Sequence, residues 1–304
     1  MRNVIKNLIT GIIMIVGIFS FQITVFSSSN DFTITPVLPE NQKKETQSYF
    51  DMLVTPMQEQ TIQILIHNNS SVNQKYKITV NTAATNRNGI IDYSLSTFEK
   101  DSSMKIAIKD CITIEQPEIE VPSGSEKEVN LRLKVPAHPF KGILLGGITV
   151  EPIIETEKEG ITNVFTRTLA IQLAETEEVI KPELKAGKVI LGQDNYRNNI
   201  QFELRNSSPI IISRVKATIT VKKKEEEEPL FTQKKEQLSF APNTKFNLMS
   251  EWAEQFQPGE YRYTIELSDE EGHQWRFAKE FKINETKAKQ FNQTSVDKDR
   301  SSIR

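Results

Sequence analysis

The stretch from Tyr49 to Ser71, YFDMLVTPMQEQTIQILIHNNSS, constrains this chain more than any other. Tyr49 to Val54 is aromatic and aliphatic, Pro56 interrupts it, and Ile62, Ile64 and Ile66 then recur at every second position before an Asn/Ser-rich loop. Neighbouring side chains of a strand point to opposite faces, so the three isoleucines make one apolar stripe. The two runs read as antiparallel strands paired across a tight turn. A lone pair cannot bury such a stripe in water, and a facing sheet has to cover it.

The rest of the chain supplies sheets of that kind. Phe32 and Ile34 alternate before Pro36 and Pro39, an edge or entry strand, because proline donates nothing to a ladder. Tyr76, Ile78 and Val80 alternate ahead of TNRNGIIDY, where Asn88-Gly89 marks a tight turn in a hairpin or loop. From Leu95 to Ala107 a strand fits no better than a loop or a short helix. Val129, Leu131, Leu133 and Val135 form the cleanest alternation. The glycine-rich PFKGILLGGITV lacks the spacing of a phosphate loop, so it reads as a buried strand in which Gly146 and Gly147 mark a bulge or a close backbone approach.

After Leu169, Ile171 and Leu173 the chain turns charged between Glu175 and Gly187, with Pro182 inside, as a linker would. A second alternating set follows in Ile200, Phe202 and Leu204, in Val215 to Val221 and in Tyr261 to Leu267, with Lys222 to Glu228 as a solvated hairpin tip. LRNSSP in this half echoes LIHNNSS in the first. These patterns predict an all-β chain of two related antiparallel β-sandwich domains in tandem, at 31–178 and 183–284, then a disordered polar tail at 285–304.

Ahead of them, residues 1–29 carry Arg2 and Lys6, an apolar run from Leu8 to Phe26, and Ser27 to Ser29, the order of an export signal. This hydrophobic helix is expected to be cleaved near Ser29. A retained N-terminal membrane anchor is the alternative, since the run approaches the roughly 20 residues that span a bilayer. Either outcome places the remainder outside the cytoplasm. A formal net charge of -2 over 304 residues lacks the basic footprint of a nucleic-acid binder. The single cysteine, Cys111, excludes an intramolecular disulfide and reads as a small buried hydrophobe beside Ile112 and Ile114.

Catalysis needs convergent groups, and the chain shows no nucleophile elbow, no HExxH and no Cys/His ligand set. His67, His138 and His273 are far apart in sequence, and Asp51 and Asp92 would serve as a glycosidase's acid and base only if the fold paired them. The expectation is a non-enzymatic protein with no cofactor and no metal.

FTITPVLPENQ, YFDMLVTPMQEQ, TNRNGIIDY and FKGILLGG in the first half, with APNTKF, MSEW, QPGEY and WRFAKEFKI in the second, resemble the WxL-interacting proteins of Gram-positive bacterial surfaces, from Asp31 to Asn284. The resemblance implies that the two sandwiches are immunoglobulin-like, the N-terminal one a peptidoglycan-binding-type domain and the C-terminal one a host-binding-type domain, and that the chain assembles with WxL-domain surface proteins. Two departures stand out. Pro56-Met57-Gln58 takes the place of the family's more usual Pro-Gly-Gln, and no apolar run follows Ile283 where family members carry a transmembrane helix. Membrane contact is therefore expected only through the N-terminal segment, if uncleaved.

The expected function is that of a secreted or cell-surface protein that binds WxL-domain partners and peptidoglycan and presents its second domain to a host extracellular protein. An extracytoplasmic chaperone that binds surface-protein clients by β-augmentation is the alternative. The candidate glycan- or partner-binding residues are the polar turn groups Pro39, Asn41, Gln42, Asn86, Asn88 and Gly89, whose amides can bond glycan hydroxyls. Asn and Gly at turns serve backbone geometry more often.

Overall fold

The isoleucine stripe is buried as its spacing requires: Ile62, Ile64 and Ile66 lie on β3 (Glu59–Asn68) and are no more than 1% exposed. The computed structural model describes residues 32–154 and 164–296, so the export segment expected at 1–29 lies outside the described residues. In the first half, β3 pairs with β1 (Phe32–Val37) and β9 (Glu126–Lys134), and β9 with β7 (Ile112–Ile114). The facing sheet runs β2 (Phe50–Leu53), β11 (Arg167–Ala174), β10 (Ile143–Pro152), β4 (Gln74–Thr82), β8 (Glu118–Val121). Both sheets contribute to one core, and the rings of Phe32 and Tyr76 meet across it at 4.9 Å.

The strands on either side of Pro56 do not pair with each other, contrary to the sequence expectation. β2 lies parallel to β11, with Phe50 opposite Ile171, while β3 runs antiparallel between β1 and β9. The turn from Thr55 to Gln58 thus carries the chain from one sheet to the other. The physical reason is burial: in opposite sheets the stripe of Phe50 and Met52 and that of the three isoleucines cover each other within one core. Within the turn, the Gln58 N–H donates to Thr55 O at 3.1 Å and Met57 sits at φ 63, a type II turn with proline at its first central position.

No register shift interrupts β10 against either neighbour, so Gly146 and Gly147 mark close approach and not a bulge. A Cβ on Gly146 would fall 2.4 Å from Ile108 Cγ2 and 2.5 Å from Asn81 O.

The second half repeats the plan. One sheet is β12 (Leu184–Asp194), β13 (Arg197–Asn206), β16 (Thr244–Glu251); the other is β15 (Phe231–Phe240), β14 (Ile212–Lys223), β17 (Gly259–Ser268), β18 (Gln274–Ile283). The rings of Phe202 and Tyr263 stack between them at 4.7 Å. The echo of LIHNNSS in LRNSSP is a shared device, a fully buried asparagine at the end of β3 and of β13. Asn68 Nδ2 donates to Val72 O and Val121 O, and its Oδ1 accepts from Ser70 N and Oγ. Asn206 does the same with Ile210 O, Ala241 O and Ser208.

Residues 285–292, expected within a disordered tail, form helix α1 (Glu285–Asn292). Asn284 caps it by accepting from Lys287 N, and Ala288 and Phe291, three apart on one face, pack on the second core, Phe291 against Phe256. Residues 297–304 lie outside the described residues.

The two halves also meet away from the charged linker. The hairpin of β5 (Ala84–Thr85) and β6 (Ile91–Asp92) reaches from the first half onto β15 and β16 of the second. Met249 N donates to Arg87 O and Ser239 N to Gly89 O, both at 2.8 Å, and Ala241 N donates to Thr85 Oγ1 at 2.9 Å. Nearby, Ile143 N donates to Pro209 O at 2.8 Å, beside Gly142 at φ +69.

Replacing Met57 with Gly removes a side chain from left-handed backbone and is expected to raise stability by up to about 1 kcal/mol, net of the freedom glycine gains when unfolded; an unchanged or lower urea midpoint would refute it. A Cβ on Gly142 would lie 2.1 Å from Pro209 O, whereas one on Gly124, at φ +61, would meet nothing within 4 Å. Gly142→Ala should therefore cost more than about 2 kcal/mol against about 1 kcal/mol for Gly124→Ala, and equal losses in denaturant titrations would contradict the packed junction.

Candidate functional site

The fold divides the candidate residues into two groups. Pro39, Asn41 and Gln42 belong to a loop that closes over the open edge of β2: Leu53 N donates to Asn41 O, Lys43 N to Asp51 O, and Gln42 N to Pro39 O. The Gln42 amide is fully engaged, donating to Thr46 O and Tyr49 O and accepting from Asp51 N. Asn41 donates to Leu53 O at 2.8 Å and accepts from Gln60 at 3.2 Å; Gln60 in turn accepts from Gln58, which accepts from Thr55 N. Asp51, 7% exposed, accepts from Gln172 at 2.9 Å and has Lys43 Nζ at 3.9 Å.

The polar face over β2 thus holds two networks, Asn41 with Gln58 and Gln60, and Asp51 with Gln172; Gln58, Gln60 and Gln172 are not among the candidates the sequence offered. A signal was present, since an aspartate stands among the apolar residues of FDML and two glutamines at period two follow the Pro56 turn. Its rim offers N–H and C=O groups of the kind that match hydroxyls.

Asn86, Asn88 and Gly89 sit instead at the junction between the halves. Asn86 Oδ1 accepts from Asn88 N and Ile90 N and so shapes the turn, Gly89 is buried against Leu238 and Leu248, and Asn88 is exposed. Beside this hairpin, Asp101 Oδ2 accepts from Arg205 Nε at 2.5 Å and Oδ1 from Ser103 N and Oγ, while Arg205 Nη2 donates to Ser102 Oγ and Lys245 pairs with Glu99. Burial disfavours the charged form of Asp101, which is 3% exposed, but the hydrogen bonds from Arg205 and Ser103 and the Arg205 charge prevail and hold its pKa down at about 2.

Cys111, Asp92 and His273 are tied into their own surroundings. Burial, then Asp110, pushes the Cys111 thiol up to about 11. Asp92 accepts from Ser94 N and Oγ. His273 Nδ1 lies 2.8 Å from Asp269 Oδ2, with Glu271 at 4.0 Å, and Asp269 also accepts from His273 N, which locks the β17–β18 turn.

Two family descriptions match the chain in tandem: "WxL Interacting Protein, peptidoglycan binding domain" over residues 32–152 and "WxL Interacting Protein, host binding domain" over residues 156–293. The chain belongs to the WxL-interacting protein family. The identity and order of the two domains are those the motifs implied. The second match begins before β11, although β11 hydrogen-bonds between β2 and β10 in the first half, so the strand that completes the first core comes from the second matched segment.

Among curated proteins no sequence matches. Similar solved structures include the CsuC–CsuE chaperone–tip adhesion subunit complex of Acinetobacter baumannii, at 10% identity over 81% of this chain and 97% of that one, TM-score 0.36. The Pseudomonas aeruginosa CupB2 chaperone is similar at 10% identity over 75% and 95%, TM-score 0.31. A Clostridium perfringens family 123 glycoside hydrolase is similar at 13% identity over 47% and 27%, TM-score 0.30.

The Asp101–Arg205 contact across the junction gives a pH prediction. A carboxyl whose pKa falls on folding contributes stability that is complete above its unfolded value, 3.8, and is lost as pH falls through its folded value, about 2. That shift is worth about 2 kcal/mol. Asp101→Asn should cost about that much at pH 7, and the gap from the parent should close as pH falls from 4 towards 2; denaturant midpoints that stay equally separated across that range would contradict it.

Proposed function

We propose that this chain is a non-enzymatic, exported surface protein of a Gram-positive bacterium. It binds peptidoglycan through its first half, engages WxL-domain partner proteins, and turns its second half, as a host-binding domain, towards an extracellular host protein. Each pair of facing sheets serves as an immunoglobulin-like sandwich whose loops and edges form the binding surfaces. The observation that carries this reading is the tandem family match, laid over two halves that share a hydrogen-bonded and packed junction.

The polar face over β2 is the surface in the first half best suited to a glycan, because its amides are fixed by their mutual hydrogen bonds and lose little freedom when a hydroxyl arrives. The non-enzymatic reading draws support from the chemistry of the candidate groups. The Cys111 thiol is pushed far above neutrality, Asp51 is held by Gln172 from the neighbouring strand, and Asp92 is held by Ser94.

Co-sedimentation of the full chain with purified peptidoglycan sacculi tests the first half, and surface plasmon resonance against a purified WxL-domain protein tests the partner. The full chain should sediment with sacculi, and Asn41→Ala combined with Gln60→Ala should lower the bound fraction by about threefold or more, while Asn88→Ala at the junction leaves it unchanged. Failure to sediment would overturn the glycan reading. Release of soluble glycan fragments would overturn the non-enzymatic one.

A further inference from the structure

On one flank of the second half, β15 and β16 are the outermost strands of facing sheets, so a seam runs between two unpaired edges. The chain's own hairpin fills one end of it, where the carbonyls of Arg87 and Gly89 accept from Met249 N and Ser239 N and Gly89 covers Leu238 and Leu248. Beyond the hairpin the seam stays open. Phe231, Gln233 and Lys235 are the less exposed residues of the alternating stretch there, and Phe231 meets Trp252 edge-on at 5.8 Å. A cavity of about 290 Å³ lies between, lined by Phe231, Thr232, Gln233, Glu251, Trp252 and Glu254, among others.

Two residues that line this cavity each carry a buried polar atom with no protein partner: the indole Nε1 of Trp252, a residue 2% exposed, and Oε1 of Gln233. Native proteins pair such atoms almost always, because an unpaired buried donor or acceptor forfeits its hydration without return. In the same row, burial pushes the Lys235 ammonium down despite the charge of Glu251, so this end of the seam holds a cation short of solvent as well.

We propose that the open half of the seam is a docking slot for an extended polypeptide strand of a protein partner. One peptide unit of that strand accepts from Trp252 Nε1 through its carbonyl and donates its N–H to Gln233 Oε1, and an apolar side chain enters the cavity beside Phe231. A polypeptide is favoured because the other half of the same seam already holds one, bound by main-chain carbonyls to the amides of the same two edge strands. This is strand addition continued along an interface the chain has begun with its own hairpin. The inference deepens the reading that the protein works by binding surface-protein partners, and it assigns the site.

The test places a photo-crosslinking benzoylphenylalanine at the exposed Thr232 in the full chain, in producing cells, with the same residue at exposed Lys279 on β18 as control. Adducts specific to position 232 should map by mass spectrometry to one short contiguous segment of another protein. A synthetic peptide of that segment should bind the purified full chain, and binding should weaken about tenfold with Gln233→Leu and with Trp252→Phe, each of which removes one hydrogen-bonding atom. Circular dichroism and the thermal midpoint confirm that the variants are folded; should Trp252→Phe fail that check, Gln233→Leu carries the test. No adduct beyond the control, adducts only to glycan or to a second copy of this chain, or a peptide indifferent to Gln233→Leu would each overturn the proposal. If the segment belongs to a protein without a WxL domain, the slot stands and the WxL-partner reading falls.

Discussion

The second half of the molecule depends on a loop it does not contain. Two facing sheets whose outer strands are unbridged leave the flank of their core open, and in this chain the tip of the β5–β6 hairpin closes part of that flank by laying Gly89 on Leu238, Leu248 and Phe240. Only a turn with no side chain at that point could come so near while its carbonyl reaches Ser239 N. The same contact turns a linked pair of domains into a packed one, and Asp101 with Arg205 and Gly142 with Pro209 extend it. It also defines the stretch of seam that remains uncovered.

A second constraint recurs in both halves. Each core has a strand that ends in a buried asparagine, Asn68 or Asn206, which satisfies its own loop through two residues on and four residues on, and crosses to a carbonyl elsewhere in the same half. A buried side-chain amide with every bond made fixes the exit of the chain, whereas one with bonds missing would be costly. Two copies of this device in one chain support duplication of one structural plan, which the short sequence echo alone suggested only weakly.

The polar candidates show why loops are hard to read from sequence. Asn86 and Gly89 are where they are for backbone geometry and contact, and Gln42 spends its whole amide on its own loop. Gln58, Gln60 and Gln172, which build the polar face over β2, come from a turn, a strand and a distant strand, so no linear motif unites them. The orphaned atoms of Trp252 and Gln233 are less legible still, because a missing hydrogen bond is a property of surroundings and not of residue type.

By itself the sequence determined the all-β class, the position of most strands, the charged tip between β14 and β15, the Asn-Gly turn and the family, since period-two burial, turn residues and motifs are local. Only the tertiary structure decided which strands share a sheet. Periodicity says which face of a strand is buried but not which neighbour its backbone bonds, and so β2 and β3, read as one hairpin, went to opposite sheets, with β2 parallel to β11. The docking of α1 and the insertion of one half's hairpin into the other's seam were decided there as well, because both arise from surfaces that exist only once the sheets have formed.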